Sequence, residues 1–233
     1  MAVRKILTLG KHEKALRSKS EPVHKINREI KALFADLRDT MADNPAIGLA
    51  APQIGVLKRV FIVKLGYSDA DAIEAESEDS PPDSAAIAEA DADEIDDDDL
   101  PTLIMVNPEV VSSKADERGY DACLSVPGMM GYTARATHIR VKFVDEFGQK
   151  QDREYHDWDA RVILHELDHL DGVLFMDRLA SLADLYVLVT DDEGNRKPVP
   201  YTEVTRSAEK IGAPDKLPRL PATAERARRT GAV

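Results

Sequence analysis

A chain of 233 residues, 43% of them apolar, is long enough for one domain with a sizeable core. Its single cysteine permits no internal disulfide, no run approaches the roughly 18 apolar residues of a membrane span, and Met1–Leu7 is too poor in apolar residues for a secretory leader, so a reducing cytoplasm is the expected compartment. The formal net charge of −12 is local: residues 68–99 hold fifteen Asp or Glu and no Lys or Arg, and without them the charge is +3.

In chain order, His24–Asp43 carries Ile26, Ile30, Leu33, Phe34, Leu37 and Met41 at helical spacing, which predicts an amphipathic helix with one face on the core. Next comes Ala46-Ile47-Gly48-Leu49-Ala50-Ala51-Pro52-Gln53-Ile54-Gly55, small residues gathered around one amide side chain. Small residues permit close backbone approach, and a glutamine among them can donate its NH2 to a developing oxyanion. Residues 59–65 read as a strand, and 103–112 as a second strand interrupted by Pro108. Between these strands the acidic stretch 68–99, ending in Asp96–Asp99, cannot bury enough apolar surface to order itself and reads as a flexible surface loop.

The run Asp121-Ala122-Cys123-Leu124-Ser125-Val126-Pro127-Gly128 looks like a tight loop. Ile139–Asp145 alternates apolar and polar residues, then Glu146-Phe147-Gly148 suggests a hairpin into Gln151–His156. A helix follows from about Ala160 and stops near Gly172. Leu185–Thr190 and Lys197–Tyr201 flank Asp191–Asn195 as another hairpin, and the tail from Arg206, with a charge of +4 and prolines at 214, 218 and 221, reads as irregular and mobile. Strands and helices do not alternate regularly, so the expected class is α+β, a mostly antiparallel sheet wrapped around the 160–172 helix.

That helix carries His165-Glu166-Leu167-Asp168-His169. Histidines four apart stack on one helix face, so both imidazoles can point at a single metal ion. Glu166 beside them can serve as base for a water whose pKa the ion lowers towards about 7, then as acid for a leaving nitrogen. A catalytic metal needs a third protein ligand. No histidine follows His169, and the downstream carboxylates Asp171, Asp177, Glu203 and Glu209 have no distinguishing context; Cys123 is the other candidate. Cysteine with two histidines suits iron(II), zinc, cobalt or nickel.

Taken together and in this order, the three segments resemble the peptide deformylase family. The pattern Gly-hydrophobic-Gly-hydrophobic-Ala-Ala-x-Gln is matched by residues 46–53, with Ala46 for the first glycine. Glu-Gly-Cys-Leu-Ser is matched by Asp121–Ser125, with Asp121 and Ala122 substituted. Gln-His-Glu-x-Asp-His-Leu-x-Gly is matched by Leu164–Gly172, with Leu164 for glutamine, and the likeness continues into Leu174–Asp177. It covers roughly residues 5–180 less the insertion, and implies a catalytic domain over 1–180 with an insertion at 68–99 and an extension over 181–233.

The resemblance implies removal of the N-formyl group from the N-terminal methionine of nascent peptides, releasing formate. Cys123, His165 and His169 would hold one divalent ion, by preference iron(II), with zinc, nickel or cobalt as substitutes. Glu166 would be general acid and base. Gln53, through its side-chain amide, and Leu124, through its backbone N–H, would stabilise the oxyanion. Gly48 and Ala122 would meet the substrate backbone, and Ile47 would shape the methionine pocket. A narrow cavity admits formyl and excludes acetyl. The basic cluster Arg226, Arg228 and Arg229 reads either as a solvated tail or, as in deformylases that meet the ribosome through a C-terminal extension, as a weak contact for ribosomal RNA. Two other readings compete: a related metallo-amidase acting on another formylated or short-acyl amine, and a non-catalytic, metal-binding, ribosome-associated homologue. Intact Glu166 and Gln53 speak against the second, because a structural site needs neither. Oligomeric state is left open by the residues.

Overall fold

The computed structural model describes residues 2–66, 100–190 and 196–210, the last five by their backbone alone. The acidic stretch, residues 191–195 of the expected second hairpin and the tail beyond Lys210 lie outside the described residues. The class is α+β with an antiparallel sheet, as the sequence pattern predicts. Two compact units divide the described chain: residues 2–66, 100–117 and 135–174 form one, and residues 118–134, 175–190 and 196–210 the other.

The first unit begins with a single helical turn, α1 (Glu13–Leu16), and the helix α2 (Arg28–Ala42). Asn27 caps α2: its side chain accepts from the Ile30 N–H at 3.0 Å, satisfying one of the donors a helix start leaves open. The predicted stripe is buried at Ile30, Leu33, Phe34, Leu37 and Met41. Strands β1 (Gly48–Ala50), β2 (Val60–Lys64) and the start of β3 (Thr102–Ala122) then pair antiparallel, with Ala50 opposite Phe61 and Val60 opposite Val106.

Strand alternation splits this sheet into two apolar faces. Leu49, Val60, Ile62, Ile104 and Val106 join the α2 stripe. Ala50, Phe61, Val63 and Met105 face the other way and join Ile163, Leu167 and Leu170 of the helix α3 (Asp157–Leu170). β2 is therefore covered on both sides, which is why it reads as an unbroken apolar run rather than an alternating one. The second part of β4 (Met129–Val144) pairs with β5 (Lys150–His156), from His138 opposite His156 to Val144 opposite Lys150. The turn between them is built on Asp145, whose carboxylate accepts from Phe147 N, Gln149 N and Gln151 Nε2 at 2.7–3.0 Å. Burial alone would raise its pKa, but these three donors hold it below the usual carboxylate value.

Two sequence expectations are corrected. β3 is not interrupted at Pro108 but runs on to Ala122. Pairing with β2 ends at Val106, so a residue without an N–H at 108 removes nothing from that ladder. Asn107 takes the local distortion with a φ of 51°, and its side-chain amide bonds both Val23 N and Val23 O at 2.8 Å. The tail from Arg206 is not irregular from its start, because 206–210 complete the helix α4 (Tyr201–Lys210); no Gly or Pro lies between Pro200 and Gly212.

In the second unit the start of β4 pairs with β6 (Leu185–Thr190), Met130 opposite Tyr186, and β6 pairs with β7 (Arg196–Pro200) as the predicted second hairpin. The Arg118 guanidinium lies over the Tyr132 ring and pairs with Asp184. No described helix is long and apolar enough to cross a membrane.

Candidate metal centre

The helix α3 starts three residues earlier than its sequence pattern predicts, with Asp157 and Asp159 in a first turn where the helix dipole favours negative charge. Asp159 accepts from the Gly66 N–H at 3.0 Å; its burial raises its pKa, and that hydrogen bond offsets part of the rise. The C-terminal end stops at Gly172, whose φ of +72° a residue with a side chain resists. A Cβ there would also stand 2.6 Å from the Arg17 carbonyl carbon, so only glycine fits.

His165 and His169 are one turn apart, with ring centroids 5.0 Å from each other and accessibilities of 9% and 1%. Glu166 between them is buried and lies against β1. A Cβ added to Gly48 would sit 2.9 Å from Glu166 Cδ and closer still to Oε1. The glycine in the small-residue segment is thus the space the carboxylate occupies. Gln53, also buried, lies in the 3-10 turn after β1, and its Oε1 accepts from the Ala50 N–H at 2.7 Å. That bond fixes the sense of the amide, so the NH2 is its donor end. Ile47 is half-buried against the α3-side core, and its carbonyl accepts from Lys64 N.

Cys123 follows the end of β3 in a tight turn closed by Val126 N–H to Cys123 O at 2.9 Å, as its flanking residues predict. Leu124 is half-buried in that turn, Ala122 exposed and Ser125 buried. Asp121, shorter than the family's glutamate, is buried and accepts from Thr133 Oγ1 at 2.7 Å. Leu164 packs half-buried against the α3-side core.

The metal-binding atoms of Cys123, His165 and His169 all lie within 4.8 Å of one another. One thiolate and two imidazoles at this spacing fit a first-row divalent ion, whose bonds to sulfur and nitrogen run at about 2.0–2.3 Å. Among the described residues, the downstream carboxylates Asp171, Asp177 and Glu203 do not join this group.

The polypeptide deformylase family model matches residues 3–184. The chain belongs to the peptide deformylase family. A peptide deformylase of Thermomicrobium roseum is 33% identical over 193 residues, 83% of this chain and 95% of that one. The crystal structure of the Ehrlichia chaffeensis peptide deformylase superposes with a TM-score of 0.60 at 30% identity, covering 76% of this chain and 88% of that one. A Met-Ala-Ser-bound peptide deformylase from Acinetobacter baumannii superposes with a TM-score of 0.59 at 28% identity, covering 76% and 99%. The chain is accordingly a hydrolase of this type, removing the N-formyl group from nascent peptides, and neither the related amidase nor the non-catalytic homologue is favoured.

One pair in the deformylase helix was not predicted. Asp168, between the two histidines, forms a buried ion pair with Arg135 of β4 at 2.9 Å. An acid beside Leu167 and Leu170 on a helix read as packed implies a buried cationic partner. Nothing in the residue pattern singles out Arg135, 33 positions earlier, as that partner.

Proposed function

We propose that Cys123, His165 and His169 hold the ion, with iron(II) as the resident metal, and that Glu166 carries the proton through the deformylation reaction. When bound, the ion supplies a Lewis acid for the formyl carbonyl and lowers the pKa of the attacking water. Glu166 takes the proton released as that water attacks and passes it to the departing amine nitrogen, so formate leaves and a free N-terminal methionine remains. The Gln53 amide and the Leu124 backbone N–H donate to the oxygen on which negative charge develops. The backbones of Gly48 and Ala122 bind the peptide, and Ile47 shapes the methionine pocket.

The observation that carries this reading is the approach of three metal-binding atoms within 4.8 Å while the buried Glu166 lies on the same helix as two of them. The neighbour bound to Met-Ala-Ser supports the substrate class, since that peptide is what remains when formyl-Met-Ala-Ser loses its formyl group. A reducing cytoplasm suits a thiolate ligand and a ferrous ion. Weak, salt-sensitive contact of the basic tail with ribosomal RNA completes the proposal and rests on sequence charge alone.

The test is formate release from formyl-Met-Ala-Ser by protein prepared without oxygen and loaded with iron(II), with Glu166→Ala as control. Rapid release that the control lacks is expected. Equal release by both proteins, or none from protein holding one ion per chain, would overturn the assignment.

A further inference from the structure

Two histidines outside the metal centre stand opposite each other on the outer face of the β4–β5 hairpin. His138 and His156 are a register pair, both exposed, with ring centroids 4.7 Å apart and planes at 87°. We propose that this pair is a second metal site, taking a first-row divalent cation of the Ni2+, Cu2+ or Zn2+ kind, and independent of the reading of the α3 centre.

The spacing carries the first part of the argument. At metal–nitrogen distances of about 2.0–2.1 Å each ring centroid stands about 3.2 Å from a shared ion, so ligand angles of about 90–109° separate two centroids by about 4.5–5.2 Å. The surface pair lies within that interval, as does the α3 pair at 5.0 Å. Neither strand needs to move for both imidazoles to come within reach of one ion.

The second part is the hydroxyl beside His138. Thr137 Oγ1 lies 2.9 Å from His138 Nδ1 and 3.4 Å from the carbonyl oxygen of Ala115. The hydroxyl has one proton, and the carbonyl can only accept it. With a metal bound, Nε2 would supply its lone pair and Nδ1–H would donate to the Thr137 hydroxyl 2.9 Å away. A metal-bound imidazole ordinarily has this arrangement, its second N–H anchored on an oxygen.

The cleft supplies the rest. Ser112, Lys114, Arg140 and Glu154 line it with the two histidines. Arg140 is turned to Asp152 by two hydrogen bonds of 2.7 and 3.0 Å, although Glu154 is its register partner. The Glu154 carboxylate lines the cleft beside the pair and is not bonded to that guanidinium. Lys114 is the one opposing charge in the lining not paired with an acid there, and its exposure lets the ammonium turn to water.

The experiment uses the untagged full-length chain, its Cys/His/His centre first saturated with one equivalent of Ni2+ and the excess removed, then titrated calorimetrically with NiCl2. One further equivalent per chain is expected. In His138→Ala and in His156→Ala that equivalent weakens by more than about tenfold, the lower end of what losing even an indirect partner of a ligand costs, while formate release stays at the parent rate. Absence of a second equivalent, or a second equivalent that binds equally well in both variants, would overturn the proposal. Failure to take up the first equivalent concerns the α3 centre alone, so the two outcomes are read separately.

Discussion

Replacing Gly48 by alanine tests whether Glu166 works from the position it occupies in the fold. The new methyl would lie 2.9 Å from Glu166 Cδ and 3.0 Å from Cγ. Carbon atoms settle at about 3.5–4.0 Å, so the carboxylate has to withdraw by up to about 1 Å. It can do so by rotating its own side chain, which leaves the α3 backbone and the histidines where they are. A displacement of about 1 Å in a reacting group costs on the order of 100-fold in rate, or about 2.7 kcal/mol of transition-state stabilisation. Gly48→Ala should therefore hold one metal ion per chain, melt within a few degrees of the parent, and lose about two orders of magnitude in kcat/KM for formyl-Met-Ala-Ser in a coupled formate assay. A variant with parental kcat/KM would refute the argument, because Glu166 would then act equally well from a displaced position or not act at all.

Three further outcomes are expected. Arg135→Met strips a buried carboxylate of its guanidinium and should lower unfolding stability by about 3–5 kcal/mol in urea titrations, whereas a loss under about 1 kcal/mol would mean that Asp168 does not depend on Arg135. Burial pushes the Tyr155 hydroxyl up to about 12, the nearby Arg153 offsetting part of the rise. Because the folded state holds this proton more tightly, the stabilisation is complete below about pH 10, the unfolded value, and is lost as pH rises through about 12. Tyr155→Phe should accordingly lose less stability between those limits, and an unchanged alkaline profile by circular dichroism would contradict this. Cys123 is the only cysteine, so a thiol reagent reports on it alone. Chelation should abolish formate release and speed that reaction, and iron(II) should reverse both; a thiol equally reactive with and without metal would exclude it as a ligand.

Much of this fold can be read from residue order because its signals are local. The stripe from Ile30 to Met41 and the apolar run of β2 are statements about neighbours three, four or two positions apart, and each became the buried face it predicts. Residues 111–118 of β3 carry no such signal: they are exposed throughout, so no face of the strand needs to be apolar and alternation is absent. Pro108 misled for a related reason, since whether a missing N–H matters depends on where the neighbouring ladder ends. In the metal centre, residue types and order suggest the ligand set, while the Gly48–Glu166 fit and the Arg135–Asp168 pair depend on approaches across 118 and 33 positions that no local pattern encodes.

Ten of the fourteen residues of α3 are buried, and its end is tied back by Leu170 O accepting from Ser20 N. A helix enclosed on most of its circumference has no cheap local opening: exposing His165 or His169 means separating Ile163 and Leu170 from the sheet as well. Their amide protons should exchange with solvent only through the rarest excursions of that unit, on the timescale of its unfolding. Under the proposed assignment two of the three ligands would therefore sit on a segment that opens only with its unit.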